Sequence, residues 1–149
     1  MKAIPRWVDI PPMWLLGFLI VTWQLRGIGV SLPGWTVHIG TALVTLGLVL
    51  IGWAVVEFAR ARTSVIPGMQ PSAIVTSGPF RYTRNPIYLA DVVIFVGLIL
   101  RWDAVIALPL VAVFVWVITV RFIAWEESQL AQTFPDTFVY YCKVTRKWL

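Results

Sequence analysis

Charged side chains are scarce in this chain, which has 12 lysines and arginines and 7 aspartates and glutamates in 149 residues. They make up 13% of the sequence, whereas soluble domains average about 25%. Hydrophobic residues make up 59% and the mean hydropathy is +0.82, so much of the protein surface must be apolar. These proportions exclude an ordinary soluble domain and indicate an integral membrane protein.

Cysteine and histidine each occur once, as Cys142 and His38. A lone cysteine excludes an internal disulfide and a metal site built from several cysteines. His38 lies near the start of a long apolar run, far from the polar motifs described below, and we predict no metal site. The net charge of +5 is typical of loops that face anionic lipid, so we predict membrane lipids as partners and no nucleic acid.

Four apolar runs predict four membrane-spanning helices, because about 20 apolar residues are needed to cross a bilayer. The third run is short: as a helix, Ile87 to Leu100 covers only about 21 Å of a hydrocarbon core that is about 30 Å thick. It either begins inside the preceding loop or forms a short helix that is buried against the next one. The predicted spans are residues 13–32, 36–57, 87–101 and 103–122.

The predicted fold is therefore all-α, a polytopic membrane protein in a single domain, residues 1–149. A polar loop over residues 63–88 and a helical region over residues 123–149 complete it. With four crossings, ten of the twelve basic residues fall on one side, and only Arg26 and Arg101 fall on the other. Because basic residues favour the cytoplasmic side, we expect both termini and the polar loop there. In a prokaryote this would be the inner or plasma membrane.

The polar loop contains the most distinctive stretch of the chain, TSGPFRYTRNPIY at residues 76–88. Its Gly78-Pro79 and Asn85-Pro86 pairs favour turns, because proline fixes φ and restricts the residue before it. The stretch should therefore fold at the membrane surface, where arginines stay hydrated and aromatic rings are favoured. We interpret it as one wall of a cofactor pocket.

Two adjacent glutamates, Glu126 and Glu127, follow the fourth apolar run. They are unexpected on a side of the protein that is dominated by positive charge. Two interpretations are open: an ion pair with Arg121 or with the loop arginines, or a site for a cationic ligand. Farther on, Pro135 should interrupt the C-terminal helix and Asp136 should cap a second one.

The order of these motifs is similar to that of the isoprenylcysteine carboxyl methyltransferase family and the related phospholipid N-methyltransferases. The similarity covers roughly residues 58–149. It implies a membrane methyltransferase that uses S-adenosylmethionine, releases S-adenosylhomocysteine and acts on a lipophilic acceptor that enters from the bilayer. The implied acceptors are an isoprenylcysteine-like carboxylate, a phospholipid amine or another small lipid-soluble molecule.

The resemblance also implies a cytoplasmic active site between the polar loop and the helix that carries the glutamates. Asn85 and Tyr88 match the cofactor-lining motif of the family, and Glu126 matches its cofactor-binding glutamate. Carboxylates and aromatic faces suit the cationic sulfonium and ammonium groups of this cofactor. The implied cofactor-binding residues are Ser72, Ala73, Ile74, Val75, Gly78, Phe80, Asn85, Pro86, Ile87, Tyr88, Glu126 and Glu127.

Three polar residues are the catalytic candidates on the acceptor side of the site: Arg121, Asp91 and Arg84. A carboxylate acceptor would need a cation, which Arg121 or Arg84 could supply. An amine or thiol acceptor would need a base, for which Asp91 is the nearest candidate, and both possibilities stay open. The family's substrate-side arginine stands four residues before the glutamate, where this chain has Phe122, a departure that suggests a different substrate pocket.

Two other functions are compatible with the same pattern. Membrane sterol reductases have a similar C-terminal arrangement, so a reductase of lipid double bonds that uses NADPH is one alternative. A small non-catalytic membrane scaffold, whose loop binds a partner or anionic lipid, is the other.

Overall fold

The computed structural model describes residues 10–63 and 72–149. Over these residues the regular elements are helical, as predicted. Residues 1–9 and 64–71, which include part of the predicted loop and two of the basic residues counted above, lie outside the described residues. The α-helices are α1 (Pro11–Gln24), α2 (Thr36–Arg60), α3 (Pro86–Arg101), α4 (Leu108–Ile118), α5 (Ala124–Thr133) and α6 (Pro135–Val144), with 3₁₀ turns at Gly78–Arg81 and Val105–Ala107 and a π turn at Thr119–Ile123.

Successive long helices alternate in direction, so the bundle has two ends. At the first, which we call the loop end, α2 finishes, Pro86 opens α3 and Glu126 follows the π turn. At the opposite end, the far end, Asp103 holds the connection between α1 and α2. Its carbonyl oxygen accepts a hydrogen bond from the Gly27 amide at 2.9 Å, and its carboxylate accepts one from the Leu32 amide at 2.7 Å.

Two helices are long and apolar enough to cross a membrane: Thr36–Arg60, and the continuous helix Val105–Thr133 that joins α4, the π turn and α5. The structure thus supports two such spans instead of the four predicted. Helix α1 has 14 residues and α3 has 16, which correspond to about 21 and 24 Å against a core of about 30 Å. Helix α3 begins at Pro86, inside the predicted loop, and eight of its residues are buried. It is therefore short and buried, but it packs mainly against α2, the preceding helix, and less against α4, the next one.

Helices α2 and α3 pack backbone to backbone because small residues line the surface between them. Gly40 and Gly47 of α2 face Gly97 and Ala90 of α3. A Cβ atom on Gly40 would come within 2.5 Å of the Gly97 carbonyl oxygen, and one on Gly47 within 2.9 Å of the Ala90 carbonyl oxygen. Lipid tails give two apolar helices no hydrophobic reason to associate, so van der Waals contact at close range must hold this pair together.

Aromatic side chains fill the space that α3 shares with α1 and α4. Phe18, Phe95 and Phe114 pack edge to face, with ring centroids 5.4 to 6.0 Å apart. Phe95 and Phe114 are completely buried, as are Ile99 and Ile118 beside them. This apolar core occupies the middle of the bundle, and the polar residues of the candidate site are gathered beyond it, at the loop end.

The predicted interruption of the C-terminal helix is confirmed. Phe134 leaves the helical conformation, with φ −135° and ψ 62°, and separates α5 from α6. The predicted cap was wrong, because Phe134 holds the N-cap position without a side-chain hydrogen bond and Asp136 lies inside the first turn of α6. Proline explains the shift: the ring of Pro135 fits the first turn of a helix, so α6 begins two residues earlier than expected.

Replacing Gly40 by alanine should destabilise the protein, because the new methyl group would meet the Gly97 backbone. We expect the free energy of unfolding to fall by about 1–3 kcal/mol, as at other overpacked sites. Gly52→Ala in the same helix is the matched control, since a Cβ there meets no atom within 4 Å. Thermal unfolding of the detergent-purified variants measures both changes, and equal losses in the two variants would contradict the proposed close packing.

Candidate functional site

Glu57, near the end of α2, fixes the start of the polar loop. Its carboxylate accepts hydrogen bonds from the Ser77 hydroxyl and from Arg60, the latter at 2.8 Å. Gly78 has a left-handed φ of 56°, and a Cβ there would come within 2.6 Å of the Glu57 side chain. Glycine is therefore required at this turn, because it accepts a left-handed φ and has no Cβ atom to clash with Glu57. Its predicted contact with a cofactor stays a prediction.

Phe80 is buried where the loop meets both α2 and α6. Its ring packs edge to face on Phe58, with centroids 5.1 Å apart, and its carbonyl oxygen accepts a hydrogen bond from the Tyr141 hydroxyl at 2.6 Å. Burial raises the pKa of Tyr141 above its ordinary value, so this hydroxyl stays protonated and remains a donor. The sequence-predicted loop aromatic is thus held between the second helix and the last one.

The residues just before α3 hold the C-terminal tail, which follows α6. The Arg84 amide donates to the carbonyl of Arg146 at 2.9 Å, and the Asn85 side-chain amide donates to the carbonyl of Lys147 at 2.9 Å. The Thr83 hydroxyl donates to the same Lys147 carbonyl at 3.1 Å. The tail therefore lies along the loop for several residues and forms part of the site's wall.

Arg84 joins three parts of the chain through one guanidinium group. Its Nε and Nη2 atoms bind Glu127 Oε1 at 3.2 and 2.9 Å, while Nη1 donates to the carbonyl of Thr145 at 2.8 Å. Lys147 binds the second carboxylate oxygen of Glu127 at 2.7 Å. Glu127 is therefore neutralised by two cations, and its contacts give it and Arg84 structural roles. The predicted cofactor contact of Glu127 and catalytic role of Arg84 stay predictions.

Glu126, the neighbouring glutamate, has a different environment. Its Oε1 atom accepts a hydrogen bond from the Tyr88 hydroxyl at 2.7 Å. No lysine or arginine in the described part of the chain forms an ion pair with it. Its side chain is half-buried, so a carboxylate without a cation faces the gap between α3 and α5 at the loop end.

The other two catalytic candidates are separated by the fold. Asp91 is buried on α3, one turn beyond Tyr88, whereas Arg121 is exposed in the π turn. The Arg121 guanidinium lies 5.4 Å from the ring of Trp14 at the start of α1. Asp91 therefore shares a helix face with the Tyr88–Glu126 pair, and Arg121 contacts α1.

The first stretch of predicted cofactor residues, Ser72 to Val75, is held at α2. The Ser72 amide and hydroxyl bond to Thr63 Oγ1 and to the Arg62 carbonyl, both at 3.1 Å. Val75 is buried against Ala54 and Phe80. The predicted cofactor residues therefore fall into two groups. The first lies at the start of α3 and on α5 and consists of Asn85, Pro86, Tyr88, Glu126 and Glu127. The second lies on the α2 side of the loop and consists of Ser72, Ala73, Ile74, Val75, Phe80 and Ile87.

Sequence reasoning missed the part that the C-terminal tail plays in the site. Thr83, Tyr141 and Lys147 are structural members of the site, yet none belongs to the predicted set. Three of the tail's contributions are backbone carbonyls, at Thr145, Arg146 and Lys147, and carbonyls carry no side-chain signature. The sequence signal that could have indicated this contact is the group of basic residues Lys143, Arg146 and Lys147 near the acidic helix.

A comparison with known protein families supplies an independent finding. The family model described as phospholipid methyltransferase matches residues 35–137. This range begins just before α2 and ends in α6, so it includes the loop, α3 and both glutamates. In parallel comparisons, no curated protein and no solved structure matched the chain.

Arg84→Lys should loosen the tail while keeping the charge. Lysine cannot reproduce the forked contact with Glu127 together with the bond to the Thr145 carbonyl, so we expect a loss of about 1–3 kcal/mol in the free energy of unfolding. The exposed Arg81→Lys is the control and should change it by less than about 0.5 kcal/mol. Thermal unfolding and hydrogen exchange of the amides over residues 145–148 report the two effects. Unchanged exchange in Arg84→Lys would refute the role given to Arg84.

Proposed function

This chain belongs to the phospholipid methyltransferase family, and from that premise we propose that it transfers a methyl group from S-adenosylmethionine to a lipophilic acceptor in the membrane. Two apolar helices fit an integral membrane enzyme of this family.

The observation that carries the proposal is the contrast between the two glutamates. Glu127 binds Arg84 and Lys147, so its charge is balanced within the protein. Glu126 receives only the Tyr88 hydroxyl among the described residues. A partly buried carboxylate is more stable beside a positive charge. S-adenosylmethionine carries two such charges, on the sulfonium sulfur and on the ammonium group, and we assign Glu126 to this cofactor.

The chemistry of the neighbouring groups fits the rest of the cofactor. Asn85 has its side-chain nitrogen on the Lys147 carbonyl, which leaves the side-chain oxygen as an acceptor. The rings of Tyr88 and Phe80 and the apolar side chain of Ile87 lie in the same loop and helix start, and adenine favours such surfaces. We propose that these residues hold the cofactor together with Glu126.

When bound, the cofactor would supply a methyl group already activated by its sulfonium centre. The protein's own contribution is then to fix the two reactants in line and to exclude water. The anchored loop suits this task, because Glu57, Tyr141 and Arg84 each tie it to a different helix or to the tail. A site held at three points loses little entropy when it binds its ligands.

We further assign the whole chain, residues 1–149, to one domain with four crossings, in which α1 and α3 complete the two longer helices. The alternating directions of the helices support this layout. The concentration of basic residues at the loop end supports a cytoplasmic site, with both termini on the same side. The acceptor would then enter from the bilayer.

Replacing Glu126 by glutamine tests the assignment. Glutamine keeps an oxygen for the Tyr88 hydroxyl but removes the charge. We expect affinity for S-adenosylmethionine to fall about tenfold or more, since a hydrogen bond to a charged group contributes about 1.5–3 kcal/mol. Isothermal titration of the detergent-purified protein measures this affinity.

Asp136→Asn is the control, because it removes one exposed acidic charge from α6 and should leave the affinity unchanged. Titration with NADPH belongs to the same experiment. Saturable binding of NADPH without binding of S-adenosylmethionine would refute the proposal in favour of a reductase. Binding of neither would favour a scaffold.

A further inference from the structure

Two arginines at the far end of the bundle form no ion pair within the described residues. Arg26 lies just after α1, and Arg101 is the last residue of α3. The hydrogen bond between the Gly27 amide and the Asp103 carbonyl oxygen holds these two segments of the chain together. Both arginines are exposed. The far end thus presents two cations that are close to the same connection.

The acidic residue at the far end, Asp103, is engaged with the backbone. Its carboxylate accepts the hydrogen bond from the Leu32 amide and so holds the connection between α1 and α2. The other acidic residues of the described chain lie at the end of α2, near the start of α3, on α5 and on α6, towards the loop end. Even with Asp103 counted, the two arginines leave a net positive charge at the far end.

Most hydrogen-bond donors of the two guanidinium groups are unused in the part of the chain that the structure describes. A guanidinium carries several N–H donors in a planar fork that matches the oxygens of a phosphate. Arg101 donates to the Thr41 hydroxyl. The Arg26 guanidinium lies 3.8 Å from the centroid of the Trp23 ring, and this contact with the face of the ring uses no N–H donor. Both groups therefore keep donors for an anion.

Exposed aromatic and apolar side chains accompany these cations. Trp23 is 44% exposed and packs edge to face on Trp102, with ring centroids 5.1 Å apart. The connection between α1 and α2 also exposes Ile28, Val30 and Trp35. Tryptophan is enriched where a membrane meets water, and exposed apolar patches mark surfaces that contact a partner or a membrane. The far end therefore has the composition of a surface that lies in the interface of a bilayer.

The length of α3 sets the depth of Arg101. In the proposed four-crossing layout, α3 begins with Pro86 at the loop-end boundary of the membrane. Its 16 residues correspond to about 24 Å, so Arg101 lies about 6 Å short of the opposite boundary of a core that is about 30 Å thick. Arginine has a long stem that can extend towards the headgroups from such a depth. A cation there needs an anion at the end of that stem.

We propose that Arg26 and Arg101 bind the phosphate groups of anionic phospholipids in the leaflet at the far end. The guanidinium forks would donate to phosphate oxygens, and the acyl chains would lie beside Trp23 and the exposed apolar side chains. A lipid supplies both the negative charge and the apolar chains that this surface calls for, whereas a soluble anion supplies only the charge. The inference uses the proposed layout of the helices and does not depend on methyl transfer.

Short-chain lipids test this inference on the protein purified in a neutral detergent. Dihexanoyl phosphatidylglycerol and dihexanoyl phosphatidylcholine have the same chains and phosphate but differ in net charge, and isothermal titration measures the affinity for each. The wild type should bind phosphatidylglycerol about tenfold or more tighter than phosphatidylcholine. The double variant Arg26→Gln, Arg101→Gln should lose about tenfold or more of the affinity for phosphatidylglycerol, because it removes both charged donors.

The double variant Arg62→Gln, Arg81→Gln is the matched control, since it removes two exposed cations from the loop end. Its affinity should stay within about twofold of the wild type, because charges farther apart than the Debye length are screened. If the far-end double variant does not fold, Arg26→Gln alone replaces it and should weaken binding about threefold or more. This side chain makes no hydrogen bond within the described residues, so its loss leaves the fold intact.

Inorganic phosphate in the same titration separates a lipid from a free anion. It should show no saturable binding, and binding as tight as that of phosphatidylglycerol would overturn the lipid assignment. Unchanged lipid affinity in the far-end variant, or an equal loss in the loop-end control, would overturn the inference. The titrations contain no S-adenosylmethionine, so such a failure leaves the proposed methyl transfer standing.

Discussion

Backbone carbonyls at the end of the last helix need hydrogen-bond donors, and Arg84 supplies them. A helix leaves its final carbonyl groups without partners inside the helix. The Arg84 side chain binds the carbonyls of Cys142 and Thr145, and the same guanidinium binds Glu127 on α5. One arginine therefore sets the positions of the loop, α5 and the tail relative to one another. Since Glu126 is adjacent to Glu127, its place beside Tyr88 depends on the same contact.

The ion pairs of Glu127 explain why the neighbouring Glu126 has no cationic partner among the described residues. Glu127 is paired with Arg84 and Lys147, and Glu126 forms no ion pair in the described part of the chain. If Arg84 instead reached both carboxylates, the site would be electrically balanced and a cationic ligand would gain little by binding. The asymmetry arises from the direction of α5, which turns Glu127 towards the tail and Glu126 towards α3.

Side-chain patterns predicted the helical class, and the family resemblance implied that the loop meets the glutamate helix, as the contacts of Arg84 and Tyr88 show. Helix lengths were harder to predict. Helix α1 ends at Gln24, although the predicted span continues to residue 32, because Gly27 and Gly29 adopt left-handed conformations. The π turn at Thr119–Ile123 was not predicted, because it has no hydropathy signal. A π turn holds one residue more than an α-turn, and this one lies where the spacing of Arg121 and Glu126 departs from the family pattern by one residue.

The apolar middle of the bundle and its loop end are held together by different interactions because their surroundings differ. In the apolar middle, polar contacts between α2 and α3 would have to be desolvated, and close backbone packing at Gly40 and Gly47 avoids that requirement. At the loop end, water is near enough to solvate ionised groups, so ion pairs and carbonyl contacts can be used. In the proposed function, the cationic cofactor would enter from the aqueous side and the lipophilic acceptor from the apolar side. The two environments meet along α3 between Tyr88 and Phe95, where Asp91 lies.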